Sequence, residues 1–329
     1  MSYVSYLSYC RNMKLIFAGT PDFAVPALDA LVEAGHEIAL VITRADRPQG
    51  RGLAVQPPPV KVRALQHGLD VIQPAKISQP DVAQRIKEVN ADAAVIAAFA
   101  AMIPKSLLDV PKHGWLNIHP SLLPKYRGPS PVKCALYNGD RATGVTIIRL
   151  EETMDTGPII LMEETEIGED ENAAQLDARL AKIGAALIVK ALALIKSGAA
   201  EFCPQDHAAA TYCRKFAKSD GLIDWSDTGV ADHVRAMTPW PGAQAALQIM
   251  NTGKTVGILV TGARHLCESS MTQPGKIVKI DKAGVTVATG GNDVVLTSVK
   301  PAGKKEMAAH AFANGYRISI GDLFIRQKK

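Results

Sequence analysis

The sequence contains little cysteine, few aromatic residues and no long apolar run. Its five cysteines lie far apart in 329 residues and form no Cys-x-x-Cys pair. This pattern indicates neither a disulfide framework nor a zinc site, and it fits a reducing cytoplasm. No stretch reaches the roughly 20 unbroken apolar residues that a membrane-spanning helix needs. Hydrophobic residues make up 47% and charged residues 21% of the chain, which is typical of a folded globular protein.

The N-terminus lacks the basic start of a secretory signal. The first twelve residues repeat Tyr and Ser and carry no Lys or Arg ahead of their apolar positions, unlike an export signal. Met13 opens the first clear strand pattern. We interpret residues 1–12 as a disordered extension and Met13 as the physiological start, which an N-terminal mass measurement on native material would test.

Positive charge is concentrated in the last third of the chain. The net charge is +5, because residues 218–329 contain 14 Lys and Arg against 9 Asp and Glu, whereas residues 1–217 contain 23 of each. A basic region beside a neutral one suggests contact with a polyanion. On charge alone, a solvated basic surface is an equally good explanation.

Strand and helix patterns alternate from Met13 to Ser197. This alternation predicts an α/β domain at residues 13–198, with a mostly parallel sheet covered by helices on both faces. Ligands of such sheets bind at the carboxyl ends of the strands, so we expect the chemistry in the loops that follow each strand.

The periodic pattern stops after residue 198. Residues 199–217 show no clear period, and we interpret them as a linker. From residue 218 to 329, short strand-like runs separated by Gly or Asn follow one predicted helix. Several short strands with turn signals between them predict a small barrel.

The loop after the first strand carries a single glycine, Gly19. A dinucleotide-binding loop needs three spaced glycines, and Pro21 removes a backbone donor from the start of the next helix. A nucleotide-binding function is therefore disfavoured.

Three arginines lie in the loop that follows the second strand: Arg44, Arg47 and Arg51. The glycines and the proline among them disfavour a helix, so the segment is expected to be exposed and flexible. Arginine forks match phosphate oxygens bidentately. We favour a phosphate-contacting loop over an ordinary polar loop.

The strand Trp115–His119 carries the most informative pair of side chains. Asn117 and His119 are two residues apart, so both project from the same face of the strand, and Pro120 ends it. An amide can donate to a developing oxyanion, and an imidazole can move a proton near neutral pH. A lone histidine at a strand end is usually structural, but its pairing with Asn117 favours acyl-transfer chemistry.

A third polar residue, Asp155, follows a later strand. An Asp close to a Gly is common in turns, which is its structural interpretation. At the carboxyl edge of the sheet, its carboxylate could instead orient His119 or hold a water that relays protons. No Gly-x-Ser-x-Gly elbow or His-Glu-x-x-His metal motif is present. The sequence therefore favours direct attack of a substrate amine on a bound acyl donor.

Asn117, His119 and Asp155, with the segment SLLP at residues 121–124, resemble the active-site pattern of the formyltetrahydrofolate-dependent transferases. Further segments resemble the methionyl-tRNA formyltransferase branch of that family, from Met13 to near the C-terminus. These segments are FAGTPDF at residues 17–23, DRPQGRG at 46–52, IDWS at 223–226, TPWP at 238–241 and PAGKK at 301–305.

The resemblance implies a Rossmann-like domain followed by a small OB-like barrel that binds tRNA. It implies transfer of the formyl group of 10-formyltetrahydrofolate to the amine of initiator methionyl-tRNA, through a tetrahedral intermediate. We expect a cytoplasmic monomer without a metal, a membrane or an obligate protein partner.

The resemblance also implies a role for each site residue. Asn117 would stabilise the oxyanion while His119 and Asp155 manage protons. The arginine loop would contact the acceptor end of the tRNA. The barrel would hold the tRNA backbone through salt-sensitive contacts with its phosphates. The residues implied for folate are Ser121, Leu122, Leu123, Pro124 and Phe99, and those implied for tRNA are Arg44, Arg47, Arg51, Lys304 and Lys305.

Two departures from the family pattern lie in these loops. Leu53 and Ala54 follow Gly52 where the family usually has lysines, and Phe99-Ala100 replaces a usual Tyr-Gly. The first removes phosphate-binding charge, and the second changes the local folate contacts.

Three other functions compete with this interpretation. A formyltransferase acting on a nucleotide-linked amino sugar would use the same three polar residues, but the basic C-terminal third argues against it. A formyltetrahydrofolate hydrolase would need neither the arginine loop nor a basic barrel. A non-catalytic tRNA-binding module would have no need for all three catalytic residue types.

Overall fold

The computed structural model describes residues 12–49 and 54–326, which form two compact units. Of the described residues, the first unit contains those up to 131 together with 143–165 and 177–213, and the second contains 132–142, 166–176 and those from 214 onward. The predicted extension, except for Asn12, lies outside the described residues, and so does Arg51.

The first unit is built on a mostly parallel sheet. Within the described residues, its seven strands follow the order β5-β2-β1-β6-β7-β8-β9. The pairs from β5 to β7 are parallel, and β8 runs antiparallel to β7. A separate antiparallel pair, β3-β4, follows β2. The strands are β1 (Lys14–Gly19), β2 (Glu37–Ile42), β3 (Arg47–Gln49), β4 (Ala54–Gln56), β5 (Val71–Ile72), β6 (Ala93–Ala97), β7 (Trp115–His119), β8 (Ala142–Arg149) and β9 (Ile159–Glu166).

The central strands are apolar because both faces of the sheet are covered. Every residue of β6 is buried, as expected for a parallel strand between two helical layers. One side of the core contains Ile16, Leu40, Ile86 and Trp115, all fully buried. The helices of this part of the chain are α1 (Val25–Glu33), α2 (Pro59–Gln66), α3 (Pro80–Val89), α4 (Lys105–Leu108), α5 (Pro131–Tyr137) and α6 (Ala173–Ser197).

The segment that we interpret as a linker is partly attached to the first unit. Cys203 forms an antiparallel bridge with Ile159, and Tyr212 forms a parallel bridge with Arg127. Gln205 is only 6% exposed. Hydrogen bonds therefore hold residues 203–213 to the rest of the first unit, which a non-periodic, polar sequence does not reveal.

The second unit contains a curled antiparallel sheet. Its strands follow the order β12-β13-β14-β11-β10-β16, and β15 pairs with β14. Ile277 N donates to Asp322 O and Phe324 N donates to Gly275 O, which joins the two edges of the sheet. The elements are α7 (Val230–Met237), β10 (Ala243–Ile249), β11 (Lys254–His265), β12 (Ile277–Asp281), β13 (Gly284–Val287), β14 (Val294–Pro301), β15 (Met307–Ala308), α8 (Ala309–Tyr316) and β16 (Leu323–Ile325).

The predicted fold class is confirmed, with a Rossmann-like sheet followed by a small antiparallel barrel. The β3-β4 pair replaces part of the loop expected to be flexible, and α4, α8 and β16 were not predicted. These elements are short, and tertiary pairing decides them more than local periodicity does. Among the residues that the structure describes, none of the helices combines the length and the apolar character that crossing a membrane requires.

Candidate active site

Asn117 and His119 stand at the carboxyl end of β7, as the strand pattern predicts. Asn117 is half-buried, and His119 is 4% exposed. Ile118 points the other way, and a Cβ built on Gly184 of α6 would lie 2.5 Å from Ile118 Cγ2. Ile118 therefore packs closely against α6. Because side chains alternate along a strand, Asn117 and His119 lie on the opposite face.

Asp155 brings the two polar side chains of β7 together. Asn117 Nδ2 donates to Asp155 Oδ1 at 3.3 Å, and His119 Nδ1 lies 3.7 Å from Asp155 Oδ2. The backbone N–H of Gly128 donates to Oδ2 at 2.9 Å. We call Asn117, His119 and Asp155 the polar trio. Asp155 is only 9% exposed, so these contacts replace water around its carboxylate.

The loop that carries Asp155 has a constrained backbone. Asp155 adopts a φ of +54°, a left-handed conformation in which Asp is among the more tolerated residues. Two positions later, a Cβ on Gly157 would lie 1.8 Å from the carbonyl oxygen of Arg149. Only glycine fits there, because the loop lies directly against its own preceding strand.

The imidazole of His119 has a second contact that assigns its hydrogen atoms. Nε2 lies 3.0 Å from the carbonyl oxygen of Tyr126. A carbonyl can only accept, so Nε2 carries a hydrogen in this geometry. In the neutral ring Nδ1 is then the nitrogen that can take up a proton, and it faces the carboxylate of Asp155.

This arrangement can stabilise charge of both signs. One hydrogen of the Asn117 amide is directed to Asp155. The second has no acceptor among the described residues, so it can donate to a developing oxyanion. Positive charge that develops on the His119 ring during a reaction would lie next to the Asp155 carboxylate. These are the requirements for attack of an amine on an acyl carbon.

Hydrogen bonds hold the turn at residues 121–124, which closely follows His119 in the chain. Ser121 is fully buried, and its Oγ donates to Lys125 O at 2.6 Å. Thr146 Oγ1 donates to Ser121 O at 2.6 Å and accepts from Leu123 N at 3.1 Å. Leu123 is buried, whereas Leu122 and Pro124 are half-buried. Ser121 and Leu123 therefore shape the turn, while Leu122 and Pro124 leave part of their apolar surface accessible.

Phe99 occupies a different environment from the one expected. Its side chain is 5% exposed and belongs to the hydrophobic core that includes Ile103. Its neighbours Ala98 and Ala100 are exposed, with φ values of +46° and +57°. The segment therefore presents backbone, rather than the Phe99 ring, at the surface.

The arginine loop is fixed at its base. Arg44 Nη2 donates to Ala100 O at 2.9 Å, and Gln73 Nε2 donates to Arg44 O at 2.6 Å. The amide of Gln73, followed by the Lys61 ammonium, lowers the pKa of Asp46. Arg47 is exposed on β3. Arg51 lies outside the described residues.

Lys304 and Lys305 belong to the second unit. Both side chains are exposed in the turn between β14 and β15, where Lys304 N donates to Pro301 O at 3.0 Å. This turn therefore leaves both lysine side chains accessible to solvent.

Several groups around the polar trio were not predicted. Two are backbone groups, the Tyr126 carbonyl and the Gly128 N–H, which no side-chain pattern indicates. The others are Arg127 and Gln205, both buried. Gln205 lies in the segment interpreted as a linker, so its polar character gave no signal of function.

Comparison with known protein families matches most of the chain to one family. Residues 13–192 match the family model described as formyl transferase, and residues 215–317 match that described as formyl transferase, C-terminal domain. The chain belongs to the formyl transferase family, so the resemblance predicted from the sequence motifs is confirmed.

Two curated relatives show how far the similarity extends. The methionyl-tRNA formyltransferase of Heliobacterium modesticaldum is 43% identical over 320 residues, which cover 95% of this chain and all of that protein. The methionyl-tRNA formyltransferase of Citrifermentans bemidjiense is 40% identical over 316 residues, which cover 95% of this chain and 96% of its own.

Solved structures share the fold at low sequence identity. An N-formyltransferase from Helicobacter canadensis, in complex with folinic acid and dTDP-3-aminofucose, has a TM-score of 0.64 at 17% identity, over 88% of this chain and 99% of its own. HypX from Aquifex aeolicus, in complex with tetrahydrofolic acid, has a TM-score of 0.60 at 18% identity, over 94% of this chain and 48% of its own.

Proposed function

We propose that this protein transfers the formyl group of 10-formyltetrahydrofolate to the amino group of initiator methionyl-tRNA. The observation that carries the proposal is the meeting of Asn117 and His119 with Asp155 at the end of β7. Similarity to methionyl-tRNA formyltransferases over 95% of the chain supports tRNA, rather than a small amine, as the acceptor.

The reaction needs one bond to form and one to break at the formyl carbon. The amine nitrogen attacks that carbon, and the carbonyl electron pair moves to oxygen to give a tetrahedral intermediate. The free hydrogen of the Asn117 amide donates to this oxyanion. When the electron pair returns, the bond to N10 of the folate breaks.

Proton transfer accompanies both steps. The attacking amine loses a proton, and N10 of the leaving tetrahydrofolate gains one, so the reaction needs no net proton from outside. His119 Nδ1 is the basic atom of the polar trio, and the Asp155 carboxylate stabilises the imidazolium. A buried site protects this exchange from bulk water.

The donor is proposed to bind beside the turn at residues 121–124. Leu122 and Pro124 keep accessible apolar surface there, which suits a planar ring. Polar backbone around Ala98 and Ala100 supplies groups that could orient its edge. In this proposal Phe99 supports the pocket from the core and does not touch the folate.

The tRNA is proposed to bind through Arg44, Arg47 and Arg51 near its acceptor end and through Lys304 and Lys305 along its backbone. In support, Arg47, Lys304 and Lys305 are exposed. We propose residues 13–198 as the catalytic domain and 218–329 as the tRNA-binding domain. We further propose that the enzyme is a cytoplasmic monomer that needs no metal, and that its formylated product serves translation initiation.

The direct test is formyl transfer by purified protein, with charged initiator tRNA and charged elongator tRNA compared side by side. We expect rapid formylation of the initiator alone. Release of tetrahydrofolate without formylation of either tRNA would assign the protein to the hydrolase, and transfer only to a small amine would assign it to the sugar-modifying enzymes.

A further inference from the structure

Gln205 contacts the backbone on both sides of the Asp155 loop. Its Nε2 donates to Asp155 O at 2.9 Å and to Gly157 O at 2.7 Å. The side chain is buried, so both hydrogens of the amide are used by protein carbonyls. Through these two hydrogen bonds, Gln205 links the backbone of the Asp155 loop to residues 203–213.

Arg127 determines which way the Gln205 amide points. Its Nε and Nη2 donate to Gln205 Oε1 at 3.2 and 2.6 Å, and Nη2 also lies 3.0 Å from His207 Nδ1. A guanidinium only donates, so the amide oxygen must face Arg127 and the amide nitrogen must face the two carbonyls. Arg127 is 2% exposed. If the Gln205 amide turned over, buried N–H groups of Arg127 would lose their acceptor, which costs free energy.

Arg127 also lies between the two backbone groups that contact the polar trio. Its preceding residue, Tyr126, provides the carbonyl beside His119, and its following residue, Gly128, provides the N–H that binds Asp155. Backbone bonds hold it in place, because Arg127 N donates to Thr211 O at 2.9 Å and Cys213 N donates to Arg127 O at 2.8 Å.

We infer that Gln205, oriented by Arg127, is a positioning residue that sets the direction of the Asp155 carboxylate for the transfer reaction. This inference rests on the proposed function. Residue 205 falls between the two stretches that the family models match, which end at 192 and begin at 215.

The geometry of Asp155 makes such positioning necessary. With φ at +54°, its side-chain direction follows from an unusual backbone conformation. Its contacts with Asn117 and His119, at 3.3 and 3.7 Å, are long, so a small rotation would break one of them. A displacement of about 1 Å at a catalytic group can cost about 100-fold in rate.

Gln205→Glu removes the two hydrogen bonds that the Gln205 amide donates. Glutamate has nearly the same shape and keeps the acceptor for Arg127, but it places a carboxylate oxygen against the carbonyls of Asp155 and Gly157. We expect kcat to fall by about 10- to 100-fold, while the KM values for folate and tRNA change by less than about twofold, because neither substrate is proposed to touch Gln205. Gln84→Glu makes the same change on the exposed face of α3 and should keep the wild-type kcat.

A double-mutant cycle with Asp155→Asn separates positioning from a loss of folded protein. A positioning residue acts through Asp155, so the effect of Gln205→Glu should largely disappear in the Asp155→Asn background. An equal loss of kcat in both backgrounds would overturn the inference, as would a folded Gln205→Glu protein with wild-type kcat.

A different result would contradict the proposed function. If Asp155→Asn alone retained wild-type transfer, the role of Asp155 would be wrong, whatever Gln205 does. If Gln205→Glu did not fold, as judged by circular dichroism and thermal melting, Arg127→Lys would carry the test. Lysine keeps the buried cation without the fork that orients the amide. A kcat loss that depends on Asp155 would support the inference, and an unchanged kcat would overturn it.

Discussion

His119 Nδ1 lies 3.7 Å from Asp155 Oδ2, although His119 ends β7 and Asp155 lies in the loop between β8 and β9. The Tyr126 carbonyl on the other side of the ring leaves Nδ1 as the atom that takes up a proton. The ring therefore has a defined orientation, with its basic nitrogen directed at the carboxylate.

Replacing His119 with Ala should remove proton transfer while leaving the folate-binding turn in place. We expect formyl transfer to fall by about 1,000-fold with little change in folate affinity, measured by single-turnover kinetics and by fluorescence titration. His113→Ala removes a histidine of the same unit outside the polar trio, and it should retain activity. Near-wild-type transfer by His119→Ala would contradict the role assigned to this ring.

Asn117→Asp tests the oxyanion donor with almost no change of shape. The substitution removes both amide hydrogens and places a second carboxylate beside Asp155. We expect kcat to fall by about 100- to 1,000-fold, the range measured when one oxyanion donor is lost. A steady-state assay that showed a higher KM with an unchanged kcat would indicate a binding role instead.

The exposed Arg47 should contribute to tRNA affinity and not to folate affinity. We expect Arg47→Gln to weaken tRNA binding and to reduce the slope of log K against log salt by about one. Arg85→Gln, which removes an arginine paired with Asp70 on the same unit, is the charge-matched control. An unchanged salt slope in Arg47→Gln would argue against a phosphate contact at that position.

Ala100 should be less favourable than glycine at its position. Its φ of +57° lies in the left-handed region, where a Cβ costs roughly 1–2 kcal/mol. We expect Ala100→Gly to raise the free energy of unfolding by about 1 kcal/mol in urea titrations. Ala101, which does not have a positive φ, provides the control, because Ala101→Gly should lower stability by about 0.5–1 kcal/mol through the entropy of the unfolded chain.

Burial lowers the pKa of His233 below its ordinary value of 6.5. The unfolded chain therefore takes up a proton at this residue that the folded protein resists. Stability should fall as the pH drops below about 6.5, since unfolding is then coupled to proton uptake. We expect His233→Gln to lose less unfolding free energy than the wild type between pH 7.5 and 5.5. His310→Gln, at a half-buried histidine of α8, tests whether any histidine gives the same result.

The sequence was sufficient to predict the sheet and the location of the polar trio, but not the groups that orient the trio. The strand Trp115–His119 was predicted with its observed bounds, because alternation along a strand determines which side chains share a face. The contacts of the trio with Tyr126 O and Gly128 N use backbone atoms, which have no sequence signature. Gln205 was missed because a polar residue in a non-periodic segment looks the same whether it faces water or two buried carbonyls.

The order of these residues along the chain has a consequence for synthesis on the ribosome. Translation proceeds from the N-terminus at about 5–20 residues per second, and domains begin to fold as they emerge. Asn117, His119 and Asp155 are therefore made before Gln205, and a nascent chain that has just completed α6 contains the polar trio without the amide that contacts the Asp155 backbone. The site becomes complete only after residues 203–213 have joined the first unit, so a release or cleavage before that point would leave a formyl transferase fold with an unfinished centre.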